Sequence, residues 1–200
     1  MASMVFLPGA GGRASFWRPI ADRLADLGAA HVLGYPGFGD APADPAVSSL
    51  DGLFAWLVRR LPPGASDVVA QSMGGVLAAR LAIERPDRVA RLVLVATSGG
   101  VDVARLGAQD WRPGYRASLA GAPPWFADDR TDLTERLPSI RAPTLLLSSD
   151  ADPLSPPAVA RFLAALIPGA RIATVAGGTH AFAAERPDEV AAIVRAHLVR

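Results

Sequence analysis

The sequence has no cysteine, no lysine and no asparagine. Without cysteine there are no disulfides, no thiolate nucleophile and no cysteine-based metal site. Without lysine there is no phosphate-binding P-loop. All 20 basic residues counted beside the three histidines are arginine, a bias that predicts a GC-rich, bacterial genome. An excess of one charge is missing too. The 20 arginines face 19 acidic residues, a net charge of +1, which removes the electrostatic reason to expect nucleic acid or an anionic membrane. No stretch reaches the roughly 18 apolar residues that span a bilayer. The opening MASMVFLPGAGG lacks the basic start and the long apolar run of a signal peptide. A soluble, cytoplasmic protein is the expectation. No histidine–carboxylate cluster has ligand spacing, so neither a metal nor an organic cofactor is expected.

What is present is a regular alternation. The chain has 200 residues, half of them apolar, enough for one domain over residues 1–200 with a sizeable core. Short apolar runs at Met4–Leu7, His31–Leu33, Asp67–Ala70, Leu92–Val95, Thr144–Leu147 and Ile172–Val175 read as strands. Between them, apolar residues recur at helical spacing: Phe16, Ile20, Leu24 and Leu27; Leu50 through Leu61; Val76 to Ile83; Val159 to Leu166; Val190 to Leu198. Strands apolar on both faces that alternate with helices predict an α/β protein with an open parallel sheet of about six strands, covered on each side. Ligands of such sheets sit beyond the carboxyl ends of the strands. One interval breaks the rhythm. From Thr97 to Ala142 there is no clear strand, but Trp111, Tyr115, Trp125 and Phe126 occur there. Residues 98–141 are too long for a simple connection and are read as a short lid.

The loops that follow the strands carry the chemistry. After the third run comes Gln71-Ser72-Met73-Gly74-Gly75. A sharp strand-to-helix turn lifts the serine above the sheet, and small neighbours let the turn stay tight. Met73 then offers a backbone N–H at a helix start, where negative charge is favoured. The loop Pro8-Gly9-Ala10-Gly11-Gly12 could supply a second N–H; it matches neither the P-loop nor the dinucleotide fingerprint. After the fifth run come Asp150 and Asp152, and after the sixth comes His180. A serine hydroxyl needs a base, and the base needs an acid to hold its tautomer. Serine, acid and histidine at one sheet edge satisfy that requirement. Of the two aspartates, Asp152 lies further out and is preferred. His31 and His197 are read as structural.

LPGAGG, GYPGFGDAP (Gly34 to Pro42), AQSMGG, SSDADP and GGTHAF together resemble the α/β-hydrolase superfamily over almost the whole chain. The resemblance is strongest to small carboxylesterases of the pimeloyl-carrier-protein methyl ester type, which act in biotin synthesis. It implies Ser72 as nucleophile, His180 as general base and acid, and Asp152 as its orienting carboxylate. It places the oxyanion hole at the N–H groups of Ala10 and Met73. It implies an ester or thioester substrate, small or carried on an acyl carrier. A monomer or homodimer is expected. Phe16, Trp17, Phe182 and the four aromatics of the 98–141 segment would favour an apolar acyl or alkyl group. Three positions depart from the family pattern: Pro8 stands where a histidine is usual, Ala70 replaces the first elbow glycine, and Gly34 replaces an aspartate. The sequence opens at what resembles the family's third strand, so the usual first hairpin is not expected in the sheet. The short lid predicts an open site. Other reactions of the same triad (lyase, perhydrolase, carbon–carbon hydrolase) and a ligand receptor on the same scaffold remain competing readings. A haloalkane dehalogenase is disfavoured, because its elbow carries an aspartate.

Overall fold

The computed structural model describes residues 2–38, 41–118 and 123–200. Gly39 and Asp40 of the Gly34–Pro42 stretch, and residues 119–122 of the insertion, lie outside that set. Six strands form one sheet: β1 (Ala2–Leu7), β2 (Gly28–Val32), β3 (Ser66–Gln71), β4 (Val89–Val95), β5 (Thr144–Ser149) and β6 (Arg171–Val175). Their order is β2-β1-β3-β4-β5-β6 and every pairing is parallel. This is the expected open α/β sheet. The chain leaves β1 toward β2 and returns across it to β3. The loops after β1 and β3 therefore part in opposite directions, which opens a crevice at their carboxyl ends.

Eight helices complete the described chain: α1 (Arg18–Arg23), α2 (Leu50–Val58), α3 (Met73–Glu84), α4 (Arg112–Ser118), α5 (Trp125–Asp128), α6 (Pro157–Leu166), α7 (Phe182–Glu185) and α8 (Pro187–Leu198). The pleat divides each strand between two cores. Val5, Leu7, Val68, Ala70, Leu92, Leu94 and Leu146 face one layer with α2, α3 and α6. Met4, Phe6, Val69, Val93, Val95, Leu145 and Leu147 face the other, with α1 and α8. This alternation of buried side chains explains why the strands read as unbroken apolar runs.

The segment from Phe16 to Leu27 is less regular than its spacing suggests. It forms two 3₁₀ turns around the six residues of α1. Pro19 sits in the first turn of α1, where its missing N–H costs nothing. Gly28 ends the run at φ 154° and starts β2. The 97–142 interval has no strand among its described residues, and α4 and α5 lie within it.

His197, read as structural, is buried near the end of α8. Its Nε2–H donates to the Pro143 carbonyl at 3.2 Å, and its Nδ1 accepts from Arg171 Nη2 at 3.0 Å. Both bonds suit a neutral ring. Burial pushes its pKa below the ordinary 6.5. The unfolded chain therefore takes up this proton first as pH falls. This contribution to stability is complete above pH 6.5 and is lost as pH drops through the window below it. Burial shifts Asp67 in the opposite sense, upward from 3.8, against the pull of Arg91. Asp67 thus contributes a loss as pH rises through its own window, above 3.8. The difference in stability between wild type and His197→Gln should shrink as pH falls from 7.5 toward 5, roughly across the imidazole range. Urea midpoints at several pH values measure it, and a constant difference would contradict the assignment.

Candidate active site

Ser72 lies between the end of β3 and the start of α3, with φ 52° and ψ −119°. A non-glycine residue there carries strain of about 1–3 kcal/mol, which the surroundings must hold. They do so through three bonds to its backbone. Ser72 N–H donates to the Val95 carbonyl at 3.0 Å, Gly75 N–H donates to the Ser72 carbonyl at 2.9 Å, and Thr97 Oγ1 donates to the same carbonyl at 2.6 Å. The two glycines explain themselves by contact. A Cβ on Gly74 would stand 2.5 Å from the carbonyl oxygens of both Leu7 and Pro8, and one on Gly75 would collide with Thr97. Ala70, at the first elbow position, is buried within β3 and keeps its register with Leu7 and Leu94.

The serine meets two loops from the far side of the sheet. His180 Nε2 lies 3.0 Å from Ser72 Oγ, and His180 Nδ1 lies 2.8 Å from Asp152 Oδ2. The Asp152 side chain is fully buried, while the imidazole is about a quarter exposed. The other carboxylate oxygen of Asp152 accepts the Leu154 N–H at 2.9 Å. This carboxylate assigns the proton to Nδ1 and leaves Nε2 free to accept from the serine. Asp150 has a different task. Its Oδ1 accepts the Gly177 N–H at 2.5 Å, and Ser149 Oγ donates to the Gly178 carbonyl at 2.6 Å. The two residues hold the histidine loop at its root.

The loop after β1 comes up against the serine. A Cβ on Gly9 would stand 3.0 Å from Ser72 Cβ and would collide with the Gln71 amide. The N–H groups of Ala10 and Met73 have no acceptor among the described residues. Met73 opens α3, so its N–H has no partner within the helix.

Of the seven aromatics expected at a ligand, two are corrected by the structure. Trp17 and Phe182 are fully buried in the core on the α1–α8 side. Trp17 Nε1 donates to the Leu7 carbonyl at 2.8 Å, tying down the strand end beneath the glycine loop. The Phe182 Cβ sits where a Cβ on Gly178 would go, and so Phe182 backs the histidine loop. Both residues brace the site from below. Phe16 is half-buried and stands edge-on to Trp17.

The remaining four gather on the α2–α3 side. Trp111 stacks on Phe126 with ring centres 4.8 Å apart, Tyr115 stands edge-on to both, and Trp125 stands edge-on to Phe126 and to Phe38. Phe38 lies against Gly12 of the glycine loop, and Ala10 and Met73 join the same apolar cluster. The described part of the insertion is thus packed onto the body on the α2–α3 side. Burial lifts the Tyr115 phenol to about 12, and its hydroxyl donates to the Pro123 carbonyl at 3.0 Å. Tyr35 Oη and Trp125 Nε1 are buried in this cluster without a partner among the described residues.

The sequence model for the alpha/beta hydrolase fold matches residues 2–126, and one for the alpha/beta hydrolase family matches residues 102–193. The chain belongs to the alpha/beta hydrolase family. Among curated relatives of this hydrolase-family chain, a polyketide synthase of Burkholderia thailandensis is 32% identical over 230 residues. That match takes in 89% of this chain but only 11% of the synthase, so the chain spans about a ninth of that protein's length. A putative carbamate hydrolase of Azorhizobium caulinodans is 28% identical over 226 residues, 90% of this chain and 84% of the relative. Among solved structures, a hydrolase from Pseudomonas aeruginosa superposes with a TM-score of 0.82 at 23% identity, covering 98% of this chain and 89% of that one.

Two residues of the candidate site escape a sequence reading. Gln71 Nε2 donates to the His180 carbonyl at 3.2 Å, and Thr97 holds the Ser72 carbonyl. Both are polar residues at the carboxyl ends of apolar strands, which was the signal available. Gly74→Ala should push the β1 loop away and lower stability by about 1–3 kcal/mol. Gly11→Ala, where a Cβ meets nothing within 4 Å, should stay within about 0.5 kcal/mol of wild type. Thermal melts compare the two, and equal effects would contradict the close approach.

Proposed function

We propose that this protein is a serine hydrolase that cleaves carboxylic esters through an acyl-enzyme on Ser72. The observation that carries the reading is the continuous Asp152–His180–Ser72 hydrogen-bond chain, ending at a strained turn that lifts the hydroxyl off the sheet. In this reading His180 Nε2 takes the Ser72 proton as Oγ attacks the acyl carbon. Asp152 holds the Nδ1–H and stabilises the imidazolium. The developing oxyanion takes the N–H groups of Ala10 and Met73. Losing one such donor costs about 10²–10³ in rate. His180 returns its proton to the leaving alkoxide, then draws one from the water that releases the acid. A thioester would follow the same course.

An apolar acyl or alkyl group would lie against Trp111, Tyr115, Trp125 and Phe126, with Phe16 at the opposite rim. The unpartnered Tyr35 Oη and Trp125 Nε1 would give such a pocket two polar contacts. A pimeloyl-carrier methyl ester of biotin synthesis is the narrowest version. It asks for free basic residues to meet an acidic carrier, yet Arg112 and Arg116 bond Asp110 and Asp128, and Arg130 bonds the carbonyls of Ala127 and Asp129. The curated carbamate hydrolase relative, matched over most of its length, favours carbamates as a second substrate class for the same acyl transfer to water.

The test is steady-state turnover of p-nitrophenyl esters from acetate to decanoate, with a p-nitrophenyl carbamate and an acyl thioester alongside. Ser72→Ala should abolish turnover of whichever class is cleaved, a loss of more than about 10³-fold. Asp152→Asn should lose on the order of 10⁴-fold, whereas Asp150→Asn keeps most of the rate. Undiminished turnover in Ser72→Ala would overturn the mechanism. Saturable binding without turnover of any class would favour a receptor.

A further inference from the structure

The opposite edge of the sheet holds a second concave site. The amino ends of β4, β5 and β6 and the carboxyl end of α8 border an open hollow of about 450 Å³. Arg91, Arg171, Arg200, His197 and Thr144 line it. Its size falls within the range of small-molecule sites. We propose that this hollow binds a small phosphate-bearing molecule, its phosphate held by Arg91, Arg171 and Arg200.

Charge is the first argument. The whole chain carries a net charge of only +1, yet three arginines line this one hollow. Asp67 is the nearby acid, and it is buried at the root of β3, engaged by Arg91 at 3.4 Å. Arg91 and Asp67 offset each other, so the positive excess at the mouth comes from Arg171 and Arg200. The carboxyl end of α8 also lies here, but its partial negative charge is about half a unit and does not cancel that excess.

Pre-organisation is the second argument. Arg91 is steadied by Asp67, and Arg171 by His197, whose Nδ1 accepts its Nη2–H at 3.0 Å. The ring is itself fixed by the bond from Nε2–H to the Pro143 carbonyl. Arg91 and Arg171 each spend one nitrogen on a buried or part-buried acceptor, and the rest of their donor sets have no partner among the described residues. A guanidinium fork held this way loses little further freedom on taking an oxyanion. Three forks offer many more donors than one carboxylate accepts, which matches a phosphate dianion with its several acceptor oxygens. His197 serves as a neutral prop for Arg171 and contributes no charge.

The hollow lies at the far end of the strands from Ser72, so ligand binding here is independent of the hydrolytic reading. The experiment is calorimetric titration of the full chain with inorganic phosphate, pyrophosphate and citrate, in a non-phosphate buffer at ionic strength matched with chloride. Pyrophosphate should bind at one site per chain, more tightly than citrate. Arg171→Gln with Arg200→Gln should weaken it at least about tenfold; the glutamine amide keeps a donor for His197. Arg161→Gln, an exposed arginine on α6, should leave it unchanged. Arg200→Gln alone shifts affinity in the same direction and serves if the double variant does not fold. No binding beyond matched chloride, unaltered binding in the double variant, or tighter binding of citrate would each overturn the proposal.

Discussion

The structure turns on a close approach of backbones. The start of α3 comes so near the end of β1 that a single methyl group on Gly74 would meet two carbonyl oxygens. That contact brings the glycine loop beside the serine. It also lets α3 begin immediately after β3, which forces Ser72 into its left-handed conformation. A strained residue persists only where its neighbours over-determine it. Here β4 supplies that constraint twice, through the Val95 carbonyl and the Thr97 hydroxyl at its end.

Around this turn the carboxyl edge shows a division of labour among similar groups. Asp150 and Asp152 are two residues apart in one loop. One binds a backbone N–H and secures the histidine loop; the other is buried against the imidazole. Ser149 and Gln71 add two further bonds, to the Gly178 and His180 carbonyls. The imidazole is thus fixed from both sides while one ring edge stays accessible. Trp17 and Phe182 press on the same loops from beneath the sheet. These buried residues support the loops from within the core.

The two edges of the sheet differ in chemistry for a simple topological reason. In a parallel sheet all the strands end on one side and begin on the other. The ending side collects the glycine loop, serine, aspartates and histidine. The beginning side collects Arg91, Arg171 and the last turn of α8. The aromatic cluster of the insertion belongs to the first side. It links α4 and α5 to Phe38 and Tyr35, so the long interval is anchored to the connection between β2 and α2.

Much of this could be read from the chain alone. The sheet was legible because each strand is apolar on both faces, and because helical spacing separates the strands. Ser72, His180 and the glycine loop were legible because they follow strands, and parallel topology brings all strand ends together. The choice of Asp152 over Asp150 within SSDADP rests on its lying further out in the loop, and Asp152 is the one bonded to His180. Other assignments were not legible. Nothing in Phe16-Trp17 or His180-Ala181-Phe182 says which rings are fully buried, since neighbouring rings on one side of the sheet differ in how deep the packing takes them. The arginines of the second hollow are spread from Arg91 to Arg200, and no local pattern marks them as neighbours. Local sequence determined the elements and the order of the chemistry along them. The three-dimensional packing decided which side chains meet, because contact between distant residues depends on strand order and loop direction, and neither is written in any short stretch of the chain.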